Sequence, residues 1–162
     1  MLHGLTVKEY IHTYHNRDTC YWYDSSLGSE YILSCLFKYS DKDWTSLKED
    51  IGSWQVDKLE ILAIVLSCHY HRGGHFLRQK FELFAHIFCT IEKSIAYDLQ
   101  DELYHLLYDS MYVEIPGLTI ETLQKIQNTF DQIKGPQPPT LLPELFVKIQ
   151  HKIDALMERI RA

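Results

Sequence analysis

The stretch from Gln55 to Lys93, QVDKLEILAIVLSCHYHRGGHFLRQKFELFAHIFCTIEK, decides the fold. Its first half, Leu59 to Leu66, is apolar almost all round, the mark of a helix covered on every side. Gly73-Gly74 then breaks the helix and permits a tight reversal. Beyond it Leu77, Phe81, Phe84, Phe88 and Ile91 recur at i, i+4, i+7, i+11 and i+14, the strongest helical stripe in the chain. Two such helices, back to back, form the centre of an all-α core.

The flanking segments carry the same period. Toward the N-terminus, Thr6-x-x-Glu9 is a capping box opening a helix to Arg17, with Val7, Tyr10, Ile11 and Tyr14 on one face. Thr19 to Gly28 reads as an aromatic connection containing Tyr21-Trp22-Tyr23, and Ser29 to Tyr39 as a buried helix. Ser40 or Asp41 caps a more polar helix to about Ile51, and Ser53 starts the central one. Toward the C-terminus, His75 to about Lys93 is followed by a helix from Ser94 to Tyr112. Ile115-Pro116-Gly117 ends it, and Thr119 caps a helix to Lys134 with Ile120, Leu123, Ile126, Phe130 and Ile133 on its core face. A Pro-rich linker at 135–140 precedes a last helix, opened by Pro143 and lined by Leu145, Ile149, Ile153, Leu156 and Ile160. The expectation is one all-α domain over 1–162, of about eight helices in antiparallel hairpins. Its arrangement is either a bundle or a short HEAT-like stack.

The chain has 162 residues, 46% hydrophobic and 23% charged, a size that folds as one domain without a staple. Sixteen Lys+Arg against 22 Asp+Glu give a formal net charge of -6, which argues against a nucleic-acid or anionic-membrane binder. The first residues carry no secretory pattern and the longest apolar run, Ile61 to Leu66, is far short of a membrane span. Cysteines at 20, 35, 68 and 89 include no CxxC pair, and three lie inside apolar helical stretches. A cytoplasmic location with reduced thiols is expected.

Two clusters hold residue types that do chemistry. His69-x-His71-x3-His75 sets two histidines about 160° apart on a helix and the third beyond the glycines, so no ligand set for zinc converges. His86-x2-Cys89 places an imidazole and a thiol one turn apart, but Cys89 falls within the packed stripe rather than in an exposed electropositive spot. No GxSxG, phosphate-binding glycine loop or paired-Asp motif is present. The expectation is a protein without catalytic residues, metal or cofactor.

The charge pattern is more informative. Between Lys93 and Lys125 there is no Lys or Arg, while Asp98, Asp101, Glu102, Asp109, Glu114 and Glu121 fall there. On one continuous helix from Ser94 to Tyr112, Leu99, Leu103, Leu106 and Leu107 cluster on one side, and Asp98, Glu102, His105 and Asp109 on the other. Tyr97, Asp101, Tyr104, Tyr108 and Tyr112 form a flanking stripe. An acidic face rich in tyrosine suits docking. Tyrosine supplies contact area at low entropic cost, and unbroken negative charge steers a basic partner.

In size, net acidity, helical patterning and this face from Tyr97 to Tyr112, the chain resembles bacterial immunity proteins, small acidic cytosolic partners that neutralise cognate toxins. The resemblance implies a non-enzymatic inhibitor whose partner is a basic toxin domain, such as a nuclease, with its active or substrate-binding surface covered. Two other readings stand beside it: a helical scaffold or adaptor, and a helical metal-dependent enzyme using the region of His69, His71 and His75.

Overall fold

A computed structural model describes residues 6–23, 28–69, 73–112, 115–134 and 143–162. Ten α-helices and no strand occur among them. They are α1 (Val7–Tyr14), α2 (Thr19–Tyr23), α3 (Gly28–Phe37), α4 (Asp41–Asp50), α5 (Val56–Ser67), α6 (Gly74–Thr90), α7 (Lys93–Asp98), α8 (Gln100–Tyr112), α9 (Ile120–Lys134) and α10 (Pro143–Arg161). The 135–140 linker and His71 lie outside the described residues.

Several helix ends are written in local chemistry. Thr6 and Glu9 form the reciprocal capping box of α1, and Ser40 and Asp43 form that of α4. Thr119 Oγ1 accepts the Thr122 N–H at 3.3 Å at the start of α9. Gly73, at φ 92°, takes the left-handed conformation that turns the chain into α6.

Four differences from the sequence reading have physical causes. Thr19–Tyr23 is a short helix rather than a connection, because Trp22 plugs into the core at 1% exposure. Residues Ile51–Ser53 form a 3-10 turn, so Gln55 rather than Ser53 is the cap of α5. The segment expected as one helix from Ser94 to Tyr112 breaks at Leu99 (φ -89°, ψ 12°), which leaves α7 and α8 as separate helices. With α2 added and this helix divided, the described residues hold ten helices in place of about eight.

The helix contacts settle bundle against stack. α5 packs on α6, α6 on α9, α9 on α10, α10 on α8, and α8 again on α5. That circuit is closed, whereas a solenoid brings together only sequence neighbours. α1, α2 and α3 pack on the far side of α5, which accounts for its near-continuous apolar surface. Along α6 each residue from Phe76 to Cys89 is buried or half-buried.

Gly28 marks a close approach within the α1–α3 cap. A Cβ there would lie 2.7 Å from Tyr21 Cε1 and 2.8 Å from Trp22 Cε3. Gly28→Ala should therefore destabilise the fold by roughly 1–3 kcal/mol through overpacking, read as a lower urea midpoint. An unchanged midpoint would show that Trp22 has room to move.

Candidate functional site

The α7–α8 segment carries the residues expected to bind a partner. α8 is flanked by α5 and α10, so only a strip of it faces solvent. Asp98, Asp101, His105 and Tyr108 are exposed, Tyr108 at 42%. Tyr97, Tyr104 and Asp109 are half-buried, and the side chain of Tyr112 lies outside those described.

Glu102 departs from expectation. It is 4% exposed, and its Oε2 has no hydrogen-bond partner. The cause is geometric. At 100° per residue Glu102 sits at the margin of the Leu103–Leu106–Leu107 face, not opposite it. Burial pushes its carboxyl above the ordinary carboxylate value. Glu102 is thus removed from the docking surface. Asp109 is drawn inward as well: its Oδ2 lies 3.0 Å from His69 Nδ1, just beyond the end of α5.

The tyrosine flank meets α10. Lys152 Nζ lies 5.4 Å from the Tyr104 ring centroid and 5.0 Å from that of Tyr108, within cation–π range. Arg159 Nη2 donates to the Ser110 carbonyl at 2.8 Å, and Nη1 to that of Met111 at 3.3 Å, satisfying carbonyls in the last turn of α8. The gap in basic residues along the sequence is therefore filled on one side in space. Those cations lie 40 or more positions away, where no local pattern reveals them.

On the other side the acids are reinforced. Asp98 and Asp57 both push the Glu60 carboxyl up, after burial itself, and no cation is among the causes. Asp57 and Asp98 are exposed and Glu60 half-buried. Carboxylates from α5 and α7 are gathered into one patch, with Asp101 exposed at the start of α8. Sequence reasoning did not include Asp57 and Glu60; their place on the one polar edge of α5 was the available signal.

The histidines serve separate ends. His69 binds Asp109, while His75 Nε2 lies 3.4 Å from Asp41 Oδ1 at the start of α4. Among the described residues, no group of three or more His, Cys, Asp or Glu is placed to hold a metal ion. Close to His69, Lys80 is buried and donates to the Cys68 carbonyl at 2.7 Å, capping the end of α5. Burial lowers its pKa to about 8, against the opposing pull of Asp109. At 1% exposure it can reach no substrate.

Cys89 is half-buried, packed against the core as its stripe implies, and lines a hollow with His86. Burial pushes the thiol up, away from the thiolate form a nucleophile needs. No helix among the described residues is long and apolar enough to cross a membrane. No protein-family model, curated protein or solved structure matches the chain.

Proposed function

We propose that the protein is a non-catalytic binding module whose acidic edge docks a basic protein, in the manner of an immunity protein occluding a toxin domain. The observation that carries this reading is the patch of Asp57, Glu60 and Asp98, like charges brought together from two helices. Such a cluster repels itself, and a Lys- or Arg-rich partner relieves that repulsion on binding. On the flank that faces α10, the exposed ring of Tyr108 supplies aromatic contact area.

The experiment is association kinetics at two salt concentrations with a partner captured from the source cell and identified. Joint replacement of Asp57, Asp98 and Asp101 by Lys should slow association roughly ten-fold or more and flatten its salt dependence. Tyr108→Ala should instead speed dissociation, by the roughly 1–2 kcal/mol expected of an aromatic anchor. All four side chains are exposed, so helicity and melting should stay near wild type. Unaltered kinetics in both variants would remove the reading. A mass rising with concentration, with no heterologous partner, would favour the adaptor.

A further inference from the structure

Three hollows lie in a row along the outer face of α6, each sharing two residues with the next. The first is lined by Asp41, Trp44, Lys48, Arg78 and Glu82 among others. The middle one, about 470 Å³, shares Lys48 and Glu82 with it and adds His86, Cys89, Thr119, Thr122 and Lys125. The third shares His86 and Thr90 with the middle one and continues toward Ile91 and Glu92. The middle volume falls within the roughly 300–1,000 Å³ of small-molecule sites. Its walls are α4 and the first turns of α9, and its floor is α6.

We propose that this middle hollow is a binding site for a small organic anion carrying a phosphate or carboxylate group, held by Lys48, Lys125 and the imidazole of His86. The charges on its walls balance formally, two lysines against Glu82 and Glu121, but they are not equivalent in place. Glu121 is tied to Lys125, at 3.3 Å, whereas Lys48 has no hydrogen bond or ion pair among the described residues. At the floor the charged groups that act on His86 and Cys89 are lysines. Burial, then Lys48, then Lys125 lower the His86 pKa, and Lys93 and Lys125 act on Cys89 in the same sense. No carboxylate is among the causes at either group. The neutral imidazole of His86, with one ring N–H to donate, is thereby favoured. The Thr119 and Thr122 hydroxyls lie at the opening turn of α9, whose dipole also favours an anion. An anion seated there would meet the unpaired ammonium of Lys48, the imidazole N–H and hydroxyl donors, and would close over Cys89. The site is independent of the acidic edge on α5 and α7.

The test follows the His86 ring protons by NMR while inorganic pyrophosphate or succinate is added at constant ionic strength. The expected result is a saturable shift with the His86 pKa raised, since a bound anion stabilises the imidazolium. The stronger of the two probes identifies the headgroup. Lys48→Ala should weaken binding about ten-fold, the loss of one charge-assisted hydrogen bond. Lys48 and Lys125 are exposed, so neither K48A nor K125A threatens folding. The proposal is overturned if neither probe gives a saturable shift below millimolar concentration. It fails equally if sodium chloride reproduces the shift, if K48A and K125A both bind as wild type, or if a diamine binds in place of the anions.

Discussion

Phe84→Ala should lower the unfolding free energy by roughly 3–5 kcal/mol and Leu62→Ala by roughly 2–5 kcal/mol. Both side chains are fully buried, and Phe84 stacks on Phe88 with ring centroids 6.0 Å apart. The upper part of each range is expected because neither helix can move in to fill the gap. α6 is held between α5 and α9, and α5 between the α1–α3 cap and α8. A domain of this size has roughly 5–15 kcal/mol in total, so either change removes a large share. Urea unfolding is the measurement: the midpoint should fall while the slope stays constant. Losses well under 1 kcal/mol at both positions would mean that the two helices are not where the core is.

Glu102→Met should have the opposite sign, raising stability by roughly 1–3 kcal/mol near neutral pH. A buried carboxylate with an unpartnered oxygen costs about that much, and an apolar side chain of similar volume removes the cost. The sign of the pH dependence follows from the direction of the shift. The native carboxyl titrates above the unfolded value of 4.5, so its favourable contribution is complete below 4.5 and is lost as pH rises through the native value. The advantage of the variant should therefore be largest at neutral pH and shrink on acidification. Melting temperatures of the two proteins, compared at pH 7 and below 4.5, decide it. A variant less stable than wild type at neutral pH would show that Glu102 is paired in solution. The same variant should leave partner association unchanged, because Glu102 faces the interior.

The helical period made most of the fold legible. The stripes through Phe84 and Phe88 in α6, Ile126 and Phe130 in α9, and Ile149 and Ile153 in α10 are buried as patterned. α2 escaped because five residues are too few to show a period, and Trp22 acts by reaching the core rather than by repeating. The break at Leu99 has no proline or glycine to announce it. The candidate face was legible in part: Asp98, Asp101, His105 and Tyr108 are exposed, but Glu102 is buried and Asp109 is half-buried against His69. Which margin of an amphipathic helix is covered depends on neighbours, and Asp57, Glu60 and Lys152 come from other helices. The hollow over α6 was illegible for the same reason, since Lys48, His86 and Lys125 have no common local spacing.

The closed circuit of helices bears on how the chain is made. α10 completes the ring by wedging between α8 and α9, so the leucines of α8 have no full cover until α10 has left the ribosome. At roughly 5–20 residues per second, the growing chain waits several seconds between the synthesis of Leu103 and that of Met157. During that interval the incomplete ring exposes an apolar trough fitted to Phe146, Ile149, Ile153, Leu156 and Met157 of α10, all buried in the finished fold. Nascent chains arrested before α10 should accordingly be held by chaperones, and release should coincide with emergence of that helix rather than with the earlier pairing of α5 and α6.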